Sequence, residues 1–368
     1  MEQIMNSVIN FKVRQHCNRL DKNTICKTDK DISIPTKKNC FLIDGGGTKG
    51  IYALGVFKYL FEDNPYLNLN DIKLFGGTSV GSYLAAALSF GCKRDDILEL
   101  SKQIDLSNLT DGKYLFFLTI YRFLTHGYMY GYDGRKNIIK QILDFKLKTI
   151  KEHLNIPVKQ IFTYEDLTFK HLRNLVLTHP EIYKHLLINT VDLSRGKQIF
   201  MTSMEEKWDD IKIVDGLMAS SSIPYVFELI KMYYDPINDK YGYDNSSDYT
   251  LNTFADGGTS TNNPYEYLLV NDNFADYNIW MLKFIKQPKY IKIDGATTLF
   301  NELLEFWICG KNHIAMEILD EKYDVNVINL HLTAGTLDIY TQEQIQNIID
   351  KIYHECKKGE FFHSDIGN

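Results

Sequence analysis

The sequence predicts an α/β protein built on a doubly wound, mostly parallel central sheet flanked by helices, and three observations carry that expectation. Two short apolar runs, residues 40–43 and 72–75, each end in glycines and each lead into apolar residues at helical spacing, so strand, turn and helix occur twice in succession. Later runs at 186–191, 253–256, 277–285 and 325–332 have the length and composition of further strands. No Pro/Gly/Ser-rich linker divides the chain. In such a sheet, ligands gather at the carboxyl ends of the strands.

Each element has its own local reason. After a polar stretch over 1–37, the run Cys40-Phe41-Leu42-Ile43 reads as a buried strand. Beyond the glycines, Ile51, Leu54, Phe57, Tyr59, Leu60 and Phe61 recur at helical spacing, with Lys58 and Glu62 on the opposite side, so an amphipathic helix follows. The second unit is a strand at 72–75, a tight turn at 76–81 and a helix at 82–90 stopped by Gly91. Residues 109–170 are helical in pattern and aromatic, most of all at 114–132. Two extended runs around Ser194-Arg195-Gly196-Lys197 form a hairpin, and a helix over 205–222 ends in Ser220-Ser221-Ser222-Ile223-Pro224. A polar loop is expected over 233–250. Asn263 as cap, Pro264 at the first helical position and Glu266 three residues after the cap mark another helix start. Helices at 295–309 and 342–356 complete the prediction. The expected organisation is an N-terminal extension (1–37), a principal domain (38–290) and a C-terminal extension (291–368) packed on that domain.

Bulk properties narrow the function. Over 368 residues the net charge is −6, which supplies no basic field and argues against nucleic acid as a partner. Residues 1–38 run the other way, with eight Lys/Arg against four acids, a pattern of a solvated extension with too dilute a charge for strong lipid contact. The six cysteines lack C-x-x-C spacing, so neither zinc nor a disulfide framework is indicated and no metal or cofactor is expected. The first residues lack the apolar segment and cleavage site of a secretory leader, and no apolar run reaches the length of a membrane span. A cytoplasmic protein, at most peripheral to membranes, is the expectation.

Two glycine motifs carry the chemistry. Asp44-Gly45-Gly46-Gly47-Thr48-Lys49-Gly50 bares backbone N–H groups, which suits an anion. One reading is the phosphate loop of an actin-like sugar kinase, but such a loop joins two antiparallel strands and here it opens a helix. The second motif, Gly77-Thr78-Ser79-Val80-Gly81, is G-x-S-x-G between a strand and a helix. Alone it is equally a βα turn with an N-cap serine. Beside an anion-binding turn it pairs a hydroxyl nucleophile with backbone donors for an oxyanion, as ester chemistry needs. His126, His179 and His313 sit in helical or polar surroundings and read as ordinary polar positions, so the candidate base is Asp256, which ends a strand before Gly257 and Gly258 and should project from the carboxyl edge of the sheet. A plain Asp-Gly turn is the alternative there.

Four blocks in order resemble the patatin-like phospholipase family: Asp44 to Gly50, Gly77 to Gly81, the run Ala219-Ser220-Ser221-Ser222-Ile223-Pro224-Tyr225-Val226-Phe227, and Asp256-Gly257-Gly258 with Asn262-Asn263-Pro264. The resemblance spans about residues 38 to 285. It implies a serine–aspartate dyad on an α/β sheet, with Ser79 as nucleophile and Asp256 as base. Gly46 and Gly47, with Gly45 nearby, would form the oxyanion hole. Lys49 falls where the family carries a basic residue that steadies the loop or faces a head group, with Gly50, Gly77, Gly81, Gly257, Gly258 and Pro224 in support. No metal is implied.

The expected activity is hydrolysis of phospholipids or lysophospholipids, of phospholipase A type, at a membrane surface. Acyl transfer, a neutral-lipid lipase, a sugar kinase and a catalytically silent lipid-binding protein are the competing readings, and an activating protein partner is left open. The aromatics at 114–132 are either core, the default at helical spacing, or a rim resting on a bilayer.

Overall fold

The computed structural model describes residues 8–12, 38–62, 67–103, 116–157, 159–286, 290–295, 323–332 and 334–358, with a few positions between 298 and 306. In chain order the elements are β1 (Val8–Lys12), β2 (Lys38–Ile43), α1 (Gly50–Leu60), β3 (Ile72–Thr78), α2 (Val80–Ser89), α3 (Arg94–Gln103), α4 (Phe116–His126), β4 (Tyr128–Tyr130), α5 (Asp133–His153) and α6 (Phe169–Thr178). There follow β5 (His185–Asp192), β6 (Lys197–Thr202), α7 (Ile213–Ser220), β7 (Tyr225–Phe227), β8 (Ile230–Asp235), β9 (Lys240–Gly242), β10 (Thr250–Asp256), α8 (Tyr265–Leu269), β11 (Tyr277–Lys286), β12 (Asp324–Leu332) and α9 (Gln342–Lys358).

Among the described residues the main sheet runs β1-β12-β11-β2-β3-β5-β10-β8-β9, with β6 also on β5. The five strands from β12 to β5 are mutually parallel, and the strands outside them are antiparallel, which is the mostly parallel α/β fold expected. Alternation explains the double cover. Phe41 and Ile43 on β2 and Phe75 on β3 join the cluster under α1 and α2, while Cys40, Leu42 and Leu74 join a second cluster with Tyr265 and Leu268 of α8.

The register around β5 places the site. β6 occupies one edge of β5 along 187–192. The other edge is shared: β3 pairs with residues 185–189 and β10 with 190–192. Thr78 therefore lies opposite Asn189 and Asp256 opposite Thr190, so the two strands meet end to end and their following residues face each other. β10 runs antiparallel to β5, so Asp256 reaches the carboxyl edge of β3 from the opposite direction and does not leave it as part of a parallel strand.

Several elements differ from expectation. α1 is buried almost all round, because α9 covers the side that Lys58 was expected to keep open; at their crossing a Cβ on Gly55 would lie 2.6 Å from Ile352 Cβ. The loop expected at 233–250 contains the β8–β9 hairpin, clamped by packing of Tyr234 on Tyr241. The helix expected over 205–222 is α7 after a short 3-10 turn at Glu206–Trp208. Positions 1–7, 13–37, 114–115 and most of 295–309 lie outside the described residues.

Candidate active site

Ser79 sits between β3 and α2 at φ 53° and ψ −128°, a backbone conformation that costs an ordinary residue on the order of 1–3 kcal/mol. The glycines around it are there for contact. A Cβ on Gly77 would lie 2.2 Å from the backbone of Gly81, and one on Gly81 2.4 Å from the Ile43 carbonyl oxygen, so strand, helix and β2 close on one another at this turn. Gly50 similarly lets α1 pass Val80.

The three consecutive serines each anchor a different part. The Ser79 N–H donates to Ser220 Oγ (2.9 Å), and that hydroxyl donates to the Asn189 carbonyl (2.6 Å), tying the turn to β5. Ser221 Oγ bonds the Tyr83 hydroxyl (2.6 Å). The Ser222 carbonyl accepts the N–H of Asp256 (2.8 Å). Pro224 is half-buried beyond them, and its neighbour Ile223 reaches the pocket wall.

Asp256 is buried, with Oδ1 accepting the Gly258 N–H at 2.7 Å. The Ser79 hydroxyl bears on the same carboxyl, yet no hydrogen bond of good geometry reaches Oδ2, which is buried and unpartnered among the described residues. Burial raises the carboxyl from its ordinary 3.8 to about 6, against the opposing pull of Ser79, the Gly258 N–H and the Arg135 charge. Gly257 gives β10 room to turn, since a Cβ there would lie 2.5 Å from the Asn189 carbonyl oxygen.

On the glycine loop, the Gly45 N–H is committed to the Asn262 carbonyl (3.0 Å), and Asn262 Nδ2 returns a bond to the Gly45 carbonyl (2.8 Å). The N–H groups of Gly46 and Gly47 have no partner among the described residues. Gly47 is in the left-handed region at φ 56°. The loop joins β2 to α1 between parallel strands, unlike a phosphate loop between antiparallel ones. Buried Lys49 directly precedes α1. Asn263, expected to cap α8, instead donates Nδ2 to Asp44 Oδ1 (2.8 Å), and burial lifts that carboxyl too, to about 6. Among the described residues no three His, Cys, Asp or Glu side chains converge as a metal site, and no helix is long and apolar enough to cross a membrane.

Arg135 was not foreseen. It is only 1% exposed, donates to the Met218 and Glu228 carbonyls and to Ser221 and Ser222, and lies 4.4 Å from the centre of the Phe227 ring. In sequence it stands among Asp133, Lys136 and Asn137 at a helix start, which looks like a solvated turn. From Ser79 a pocket of about 110 Å³ runs between the helices, bordered by Ile51, Leu54, Leu84, Ile138 and Ile142.

A sequence model of the patatin-like phospholipase family matches residues 41–269. The chain is similar to protein L620 of Acanthamoeba polyphaga mimivirus, 44% identical over 94% of this chain and 95% of that one, and to protein R571 of the same virus, 25% identical over 72% and 81%. Among solved structures it is similar to VipD from Legionella pneumophila, with 16% identity and a TM-score of 0.44 over 88% of this chain and 66% of that one. With more than half of its length matched, the chain belongs to the patatin-like phospholipase family.

Proposed function

We propose that the protein is a lipid acyl hydrolase of phospholipase A type that works through a Ser79 acyl-enzyme with Asp256 as base. The family supports lipid hydrolysis in general. The observation that carries the finer reading is the strained Ser79 beside a buried carboxyl whose Oδ2 is unpartnered. Ser79 Oγ attacks the ester carbonyl while its proton passes to Asp256. The N–H groups of Gly46 and Gly47 take up the charge on the tetrahedral oxygen, Asp256 returns the proton to the leaving alcohol, and water then releases the acid by the same route. Arg135 offsets the burial of the carboxylate from within the pocket wall.

The substrate surface is read from α4. Tyr121 is 60% and Leu124 75% exposed, and Phe123 packs against exposed Tyr225, an apolar and aromatic group of the kind that settles into a lipid headgroup region. Incubation with mixed phospholipid vesicles should release fatty acid and lysolipid. Tyr121→Ser with Leu124→Ser should lower vesicle turnover about tenfold or more, by lost apolar burial, and leave hydrolysis of a dispersed short-chain ester intact. Equal loss on both substrates would remove the membrane role, and no released acid from any vesicle would remove the phospholipase reading.

A base must be ionised to accept the proton. Because the Asp256 carboxyl sits at about 6, kcat/KM should rise with pH through that value and level off above it, falling about tenfold per pH unit on the acid side. Asp44 titrates in the same range, so the profile is to be repeated in Asp44→Asn. Persistence of the acid limb in that variant assigns it to Asp256.

A further inference from the structure

The pocket below Ser79 is completed by a part of the chain outside the family-matched region. Leu337 and Ile345 contribute to its wall together with Leu54 and Ile142. Near the glycine loop, the Thr48 N–H donates to the Thr336 carbonyl (3.0 Å), and Gly47 passes so close that a Cβ there would lie 2.0 Å from the same oxygen. At the other end, Gln342 Nε2 donates to the Ser101 carbonyl (2.7 Å) and Gln346 Nε2 to Ser101 Oγ (3.1 Å), stitching the start of α9 to the end of α3. Ser101 and Ile345 both line the pocket and are only 1% and 2% exposed, so this end lies inside the protein.

Arg135, Ile138 and Ile142 form one stripe along α5, and from the first to the last the helix advances about 10 Å. An extended chain gains about 1.2 Å per bond, as an extended backbone does, so that depth takes about eight carbons. The Arg135 guanidinium is already committed to carbonyls and hydroxyls of its own chain, and the remaining lining residues are mostly apolar, Ile and Leu foremost, which suits a chain and not a head group.

We propose that α9 is the end stop of an acyl pocket, with Ile345 as a specificity-determining residue, and that the protein prefers esters of medium-chain acids of about eight carbons. This rests on the acyl hydrolase reading. The test is kcat/KM for nitrophenyl butyrate, octanoate and palmitate with the wild type, Ile345→Ala and Ile142→Phe, each checked for a cooperative melt. The wild type should peak at octanoate. Removing the Ile345 side chain should raise the palmitate-to-octanoate ratio about tenfold, and the larger Ile142→Phe side chain should move the peak to butyrate. The same profile in all three, or a wild-type peak at palmitate, overturns the end stop while leaving the hydrolase intact. Should no ester be cleaved, the hydrolase reading falls, and calorimetry with the free acids decides the pocket separately: octanoate binding that Ile142→Phe abolishes upholds it, and palmitate binding as well as octanoate refutes it.

Discussion

Ser79→Ala should lower kcat/KM by about a million-fold, and Asp256→Asn added to it should cost nothing more. The reason is that, in the proposed mechanism, the two side chains perform one event. Without the hydroxyl there is no proton for the carboxylate to take, and without the base the strained serine presents only a weak nucleophile. What would remain in either variant is the electrostatic help of the proposed oxyanion hole at the Gly46 and Gly47 N–H groups, so the residual rates of both single variants and the double should lie close together. Independent losses that multiply in the double variant would separate the two residues and refute the dyad. Asp256→Asn should also change stability in a manner Ser79→Ala does not. A carboxyl raised from 3.8 to about 6 by folding stabilises the native state fully below pH 4, and that contribution is lost as pH rises through 6. The amide carries no such dependence. At pH 8 the variant should therefore be more stable than the wild type, on the order of 3 kcal/mol, and the margin should close as the pH approaches 4. Calorimetric melts at the two pH values give both numbers.

Gly77→Ala should destabilise the protein by more than about 4 kcal/mol, a melting-point loss of at least about 5 °C. Only Ser79 and Thr78 separate the residue from the first turn of α2, and the added carbon would lie 2.2 Å from both the carbonyl carbon and oxygen of Gly81 and 2.5 Å from the N–H of Ser82. Those are backbone atoms, and they cannot retreat, because Gly81 is itself pressed against the Ile43 and Asp44 carbonyls. Gly242→Ala is the matched control: nothing lies within 4 Å of its added carbon, and its effect should stay within about 0.5 kcal/mol. Similar melts for the two variants would mean that the crossing of strand and helix is looser than its geometry.

The parts of the fold that were legible in the sequence are those whose cause is local. β2 and β3 are buried along most of their length, so they stand out as short apolar runs, 40–43 unbroken and 72–75 interrupted only by exposed Lys73, and the glycines at 77 and 81 mark a turn that no side chain can enter. What was not legible depends on partners distant in sequence. Nothing in Thr253-Phe254-Ala255-Asp256 says that the strand runs against β5, since pairing direction is set by the register of the whole sheet. The burial of α1 requires α9, and Asn263, whose local pattern is a helix cap, is claimed by Asp44 instead. Pocket walls are the hardest case. Ile138, Ile142 and Ile345 have the spacing of ordinary core residues, and only the empty space beside them distinguishes the two.

The order in which a ribosome delivers the chain gives the C-terminal wall one further meaning. When Asp256 emerges, every residue of the proposed chemistry has been made, yet Thr336, Leu337 and Ile345 have not, and the glycine loop lacks the carbonyl against which Gly47 is held. At about 5–20 residues per second, the remaining stretch takes roughly 4–18 s to synthesise. Through that interval the nascent protein carries its serine and aspartate without a finished pocket, and the proposed chemistry has its complete wall only once residue 345 has been made.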